Sequence, residues 1–275
     1  MRILALVCLC LTGLAGQQAT AARAGDPGQT PAAKPTAEAQ TNQQKARAVL
    51  DQMIQALGGQ AYLSVEDYFA EGRSGSFHNE TLVGEGLIYR YWKWPDIDRI
   101  ELTKQRDIVE LYIGDDAYEI TYRGIKALDP EKNDKLRASL LRRHYSLEVV
   151  LRKWLNEPGI LLLDEGPTLS ENRMAEKITI INAKNESVTI LVAPDTHLPL
   201  EKRFSSRDPR YRDRDEEATI YGNWRVEQGI NTPHVILTKR NGETISQQIL
   251  LRVTYNNHPS AGLFDPSAAK INPVK

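Results

Sequence analysis

After Tyr62 the chain advances in short runs of alternating apolar and polar residues broken by turn residues, and nowhere do strand-like and helix-like runs alternate one for one. Residues 84–94, 99–102, 108–113 and 118–122 form a first set of such runs. Residues 176–181, 187–192, 200–204, 218–225, 234–239 and 246–255 form a second. Pro95-Asp96, Gly114-Asp115-Asp116, Asn185-Glu186, Pro194-Asp195 and Asn241-Gly242 supply the turns between them. A parallel doubly wound sheet requires strand–helix–strand units. Their absence leaves an antiparallel sheet in the α+β class.

Two stretches carry helical spacing instead. Ala46, Val49, Leu50, Met53, Ile54 and Leu57 recur on one helical face, and Gly58-Gly59 stops the helix. Between the two sets of strands, Asp129-Pro130-Glu131 has the order of a helix start: N-cap, first-turn proline, first-turn acid. An apolar face through Leu136, Leu140, His144, Leu147, Leu151 and Trp154 predicts a helical insert that ends at Pro158-Gly159, with Ser146 capping a second segment.

The N-terminus reads as an export signal. Arg2 precedes an uncharged apolar run over residues 3–11, too short for a permanent membrane span, and Ala19-Thr20-Ala21 predicts cleavage before Ala22. Both cysteines, Cys8 and Cys10, lie inside that run. The mature chain therefore has no thiol for a disulfide, a thiolate metal site or a nucleophile. Neither cysteine ends the run after a small residue, as a lipidation site would. Residues 22–42, with Pro27, Pro31 and Pro35 and no apolar period, read as a disordered tether ahead of a domain over residues 43–270. Removing Arg2 takes the 35 basic residues to 34 against 36 acidic ones, a net charge of -2. That balance provides no pull toward nucleic acid, and no integral span is expected in the mature chain.

Motifs for chemistry are missing. His78, His144, His197, His234 and His258 are isolated, with no metal-ligand spacing. There is no nucleophile elbow or phosphate loop, and Gly72-Arg-Ser-Gly75 has no helix after it. No catalytic residue, metal or cofactor is expected. The charged stretch over residues 207–217 interleaves arginines with acids, which disfavours a cation site and reads as a solvated hairpin loop or, alternatively, a docking loop for a partner. Asn79-Glu-Thr81 and Asn185-Glu-Ser187 match glycosylation sequons, which matter only in a eukaryotic secretory pathway.

Aromatic residues crowd the first strands: Tyr89, Tyr91, Trp92, Trp94, Tyr112, Tyr118 and Tyr122. Either they are scattered on a sheet packed on one side by helices, or they line a curved sheet whose apolar concave face is covered by the insert as a ligand cavity.

Several phrases, in order, resemble the LolA/LolB-like superfamily of bacterial envelope proteins, in particular the outer-membrane lipoprotein-sorting proteins. They are Leu50-Asp-Gln-Met-Ile-Gln-Ala-Leu-Gly58-Gly59, Tyr91-Trp-Lys-Trp-Pro95-Asp96-Ile-Asp-Arg99-Ile-Glu101, Gly114-Asp115, and Tyr255-Asn256 followed by Leu263-Phe264. The resemblance implies an unclosed antiparallel β-barrel wrapped around the N-terminal helix and an inserted helical lid over residues 130–157, with a hydrophobic cavity for acyl chains and no catalysis. On that basis Tyr89, Tyr91, Trp92, Arg99, Leu102, Tyr112, Tyr118, Tyr122, Leu147, Leu151 and Trp154 are the candidate lining. Arg99 matches an arginine that helps keep the lid closed in the dedicated lipoprotein carrier. The implied role is a soluble periplasmic carrier or sensor of a lipid or lipidated protein. The alternative is a non-catalytic scaffold that docks an envelope protein through the loop over residues 207–217. That loop and the tether are not features of the dedicated carrier, so its cargo is not carried across.

Overall fold

The computed structural model describes residues 37–207 and 214–268. The expected signal segment, most of the tether and the tip of the charged loop lie outside the described residues. Helix α1 (Ala37–Leu57) buries Ala46, Leu50, Met53, Ile54 and Leu57, the stripe expected from the spacing. It begins inside the stretch read as tether. The Asn42 side chain explains the extension, since its amide pairs with the backbone of Asp164 at the far end of the domain. Gly58 and Gly59 both have positive φ, and a Cβ at Gly58 would meet the Gly229 carbonyl oxygen at 2.9 Å. A single turn, α2 (Gln60–Leu63), follows.

The first half of the sheet is β1 (Asp67–His78), β2 (Thr81–Lys93), β3 (Ile97–Leu102), β4 (Ile108–Ile113), β5 (Asp116–Thr121) and β6 (Gly124–Leu128). The insert holds α3 (Asp134–His144), α4 (Leu147–Arg152) and a 3₁₀ turn (Trp154–Asn156). The second half is β7 (Leu161–Ser170), β8 (Arg173–Ile181), β9 (Ser187–Val192), β10 (Pro199–Arg207), β11 (Arg214–Glu227), β12 (Ile230–Arg240) and β13 (Glu243–Tyr255), closed by a second 3₁₀ turn (Ala261–Phe264). All join in one antiparallel 13-stranded curved sheet of order β6-β5-β4-β3-β2-β1-β13-β12-β11-β10-β9-β8-β7. It does not close on itself. Both free edges, β6 and β7, flank the insert in sequence, so the insert has to travel from one edge of the sheet to the other. That connection places it across the concave face.

The largest apolar core joins α1, α4 and the inner face of β8 to β10, with Leu50, Met53, Val150, Trp154, Ile178 and Ile190 at or near zero exposure. Each such side chain contributes about 1.5–3 kcal/mol relative to exposure. A smaller cluster of Val109, Leu111, Ile120 and Phe264 seals the opposite face of β4 and β5 under the last 3₁₀ turn.

Three strands lack a readable alternation. In β1 the glycine-rich phrase is strand: a Cβ on Gly72 would lie 2.3 Å from the Ile249 carbonyl oxygen, where β1 shifts register against β13. Strand β6 is a short exposed edge, and β7 is interrupted by a register shift between Asp164 and Pro167. The insert also starts later than expected. Asp129 forms a turn, accepting from the Glu131 amide at 2.9 Å, and the N-cap is Asn133, whose side chain accepts from the Leu136 amide at 3.1 Å. Ser146 caps α4 as expected, accepting from the Val149 amide at 3.3 Å.

Candidate functional site: a cavity under the helical insert

The strand registers sort the side chains by face. Tyr68 of β1 opposes Trp92 of β2 and Tyr255 of β13, and with Ile88 and Arg90 they point toward the insert. Phe69, Tyr89, Tyr91, Arg99 and Glu101 fall on the alternate, convex face. A cavity of about 520 Å³ lies between the concave face and the insert, with an adjoining pocket of about 90 Å³ that shares Tyr62, Tyr68, Trp92 and Tyr255. The volume falls within the about 300–1,000 Å³ common for small-ligand sites. Its aromatic wall is coherent: Tyr68 stacks on Trp92 with ring centres 5.3 Å apart, and Trp92 meets Trp94 edge-on at 6.1 Å.

The remaining lining mixes apolar side chains such as Leu140, Val149 and Ile236 with charged ones. Arg90 grips Asp98 with two guanidinium nitrogens at 2.9 and 2.7 Å. Arg142 and Arg240 donate to Glu217 at 2.9 and 2.7 Å, so these charges are matched by neighbours. Glu217 is 4% exposed. The described part of the charged stretch is the end of β10 and the start of β11, with Arg207, Arg214 and Glu216 exposed and only Glu217 departing from a solvated hairpin, as a buried clamp on α3; residues 208–213 lie outside the described residues. Lys202 of β10 is 3% exposed, and its ammonium donates to the Tyr145 carbonyl at 2.8 Å. Burial pulls its pKa from the ordinary 10.5 down to about 8, against the opposing pull of Glu148 and Glu217. Glu148 of α4 lines both pockets yet makes no hydrogen bond or ion pair with any described residue. Burial holds the Tyr62, Tyr68 and Tyr221 hydroxyls well above their usual range, and Glu148 pushes each in the same direction. The Trp224 indole N–H, also in the wall, is buried without a partner.

Of the residues expected to line a cavity, Trp92 and Leu147 do so. Leu151 and Trp154 sit in the core behind it, 2% and 1% exposed. Leu102 packs at the margin against Ile88 and Leu250, and Tyr112 lies under α3 against Ala117 and Leu136. The others do not reach the cavity. Tyr89 carries the Arg106 guanidinium 3.7 Å above its ring, Tyr91 packs on Phe69, and Tyr118 packs beneath Phe264, all on the convex face. Tyr122 is 78% exposed. Arg99 donates to Glu101 at 2.8 Å and to the Leu263 carbonyl at 3.0 Å, fastening the C-terminal 3₁₀ turn and not the insert. Tyr62, Tyr68, Arg90, Glu148, Lys202 and Tyr221 were missed. Arg90 and Lys202 had a signal in the sequence: each is a charge in the inward phase of a strand, between Ile88 and Trp92 or two residues before Phe204.

No protein-family model matches the sequence, and no curated protein matches it. Solved structures do match. A DUF1329 family protein from Desulfovibrio piger superposes with a TM-score of 0.56 at 14% identity, over 82% of this chain and 99% of that one. A putative outer membrane lipoprotein-sorting protein domain from Vibrio parahaemolyticus gives 0.56 at 10% identity, over 81% and 98%. A LolA superfamily protein from Nitrosomonas europaea gives 0.50 at 10% identity, over 80% and 97%. The chain has a LolA-like fold. Among the described residues no helix is long and apolar enough to cross a membrane.

Proposed function

We propose that the protein is a periplasmic carrier or sensor that holds an acyl chain, from a lipid or a lipidated protein, in the cavity beneath the insert, which acts as its lid. The observation that carries this reading is the roughly 520 Å³ cavity itself, lying between an aromatic concave face and a helical crossover. Burying apolar chain there is worth about 0.8 kcal/mol per methylene. The solved lipoprotein-sorting domain and LolA superfamily protein, with which the fold is shared, support the same reading. The expected leader over residues 1–21 supports export.

Organic extraction and native mass spectrometry of protein purified from the cell envelope test the proposal. A co-purifying lipid, or one-to-one uptake of an added acyl probe by stripped protein, is expected. Protein that is empty and also ignores acyl probes overturns it. N-terminal sequencing of the exported form is expected to begin at Ala22; retention of the leader would contradict export.

A further inference from the structure

Two side chains of opposite charge face the same cavity without closing on each other. Glu148 has no hydrogen bond or ion pair to any described residue. Lys202, nearly fully buried, has two neutral partners, the Tyr145 carbonyl and the Phe204 ring. Of the other inward charges, Arg90 is paired with Asp98 and Arg142 with Glu217, while Arg152, one turn after Glu148 on α4, donates to the Val65 carbonyl without bonding Glu148. Arg143, also in the lining, donates to the Asp96 carbonyl and lies over the Tyr112 ring but keeps its Nη1 buried without a partner, and Lys153, Asp96 and Asp115 are exposed. Buried charges without a bonded ionic partner are costly, and a purely apolar occupant would leave Lys202 and the half-buried Glu148 with only each other's field across the cavity. A purely anionic headgroup would satisfy Lys202 and meet Glu148 as a like charge. A purely cationic one would have the reverse fault.

We propose, resting on the carrier reading above, that the cavity selects a single-chain amphiphile whose polar end carries both a phosphate and an ammonium group, the phosphate on Lys202 and the ammonium on Glu148. The neutral groups around the pair suit such a headgroup. The Tyr62, Tyr68 and Tyr221 side chains border the cavity with hydroxyls that make no hydrogen bond to described residues, and the Trp224 indole N–H is an unused donor in the same wall. The aromatic stack of Tyr68 and Trp92 beside them offers the chain its apolar contact. The cavity volume is that of a small-ligand site, which favours one chain over two.

Calorimetric titration of the stripped mature protein with three probes of equal chain length tests this: lysophosphatidylethanolamine, lysophosphatidylglycerol and an uncharged monoacylglycerol. The ethanolamine probe is expected to bind at least about tenfold more tightly than the glycerol one, a single lost ionic contact being worth about 1.4 kcal/mol or more. Glu148→Gln, an isosteric change on a partly exposed helix, is expected to abolish that preference. Lys202→Met is expected to weaken both phosphate probes at least about tenfold, and Lys202→Arg to restore them. Equal affinity for the two phosphate probes, or a preference that survives Glu148→Gln, overturns the headgroup assignment; monoacylglycerol binding in that case leaves the carrier reading standing. Failure of all three probes overturns both.

Discussion

The Lys202 ammonium donates a 2.8 Å hydrogen bond to the Tyr145 carbonyl, tying strand β10 to the residue at which α3 gives way to α4. A charge is thereby buried at the junction of the two helices of the insert. Because burial lowers the pKa from 10.5 to about 8, the charged form is disfavoured in the fold by about 3 kcal/mol. The full penalty applies below about pH 8, where folded and unfolded chains are both protonated. It fades between 8 and 10.5, where the unfolded chain binds the extra proton. Lys202→Met loses the hydrogen bond, worth about 1 kcal/mol. Denaturant unfolding at pH 7 is expected to find this variant about 2 kcal/mol more stable than the parent, with the advantage gone by pH 10. A difference that does not change with pH would contradict the assignment.

Asn42 caps an open sheet edge. Its carboxamide donates to the Asp164 carbonyl at 2.7 Å and accepts from the Asp164 amide at 2.9 Å, taking the place of a neighbouring strand. Asn42→Ala is expected to cost about 1–2 kcal/mol and to speed hydrogen exchange at the Asp164 amide. Unchanged exchange there would show that the edge does not depend on the side chain.

Glu217 holds α3 to the sheet. Arg142 of α3 and Arg240 of β12 both donate to its buried carboxylate. Glu217→Ala is expected to destabilise the fold by about 1–3 kcal/mol and to raise exchange in α3 more than in β1 or β2. A uniform rise across the sheet would mean that the contact does not govern the insert.

Asp67 anchors the chain after the last strand. Its carboxylate, 4% exposed, accepts from the Asn257 amide at 2.7 Å and the His258 amide at 3.0 Å. Charge-assisted bonds of this kind are worth about 1.5–3 kcal/mol each. Asp67→Ala is expected to lower the melting temperature and expose the segment after Tyr255 to protease; Asp67→Asn should recover only part of the loss. A variant that melts like the parent would contradict the anchoring role.

The antiparallel sheet, α1 and the capped insert were legible in the sequence because their signals are local. Strand β9 carries an uninterrupted apolar inner face, and Ser146 caps the helix that begins one residue later. What failed was non-local. Gly72 makes sense only against the Ile249 carbonyl on a strand near the other end of the chain, and Asn42 is part of α1 because of Asp164. The resemblance to LolA-like proteins pointed to the fold, but not to the lining. Which face of β2 and β3 turns inward follows from the register, and it sends Tyr89, Tyr91 and Arg99 outward while Tyr68, Arg90 and Trp92 turn in. The polar half of the cavity depends on Glu148 and Lys202, which are brought together by the crossover of the insert.

An acyl chain in this cavity would lie against Trp92, Trp94 and Trp224 in its wall, whose fluorescence reports on it directly. Titration of the stripped protein with an acyl probe brominated along its chain should quench tryptophan fluorescence saturably at one probe per protein. Thr219→Phe, which fills the cavity from β11, should abolish the effect while leaving the melting temperature unchanged. Quenching that fails to saturate, or that persists undiminished in the filled variant, would contradict the account.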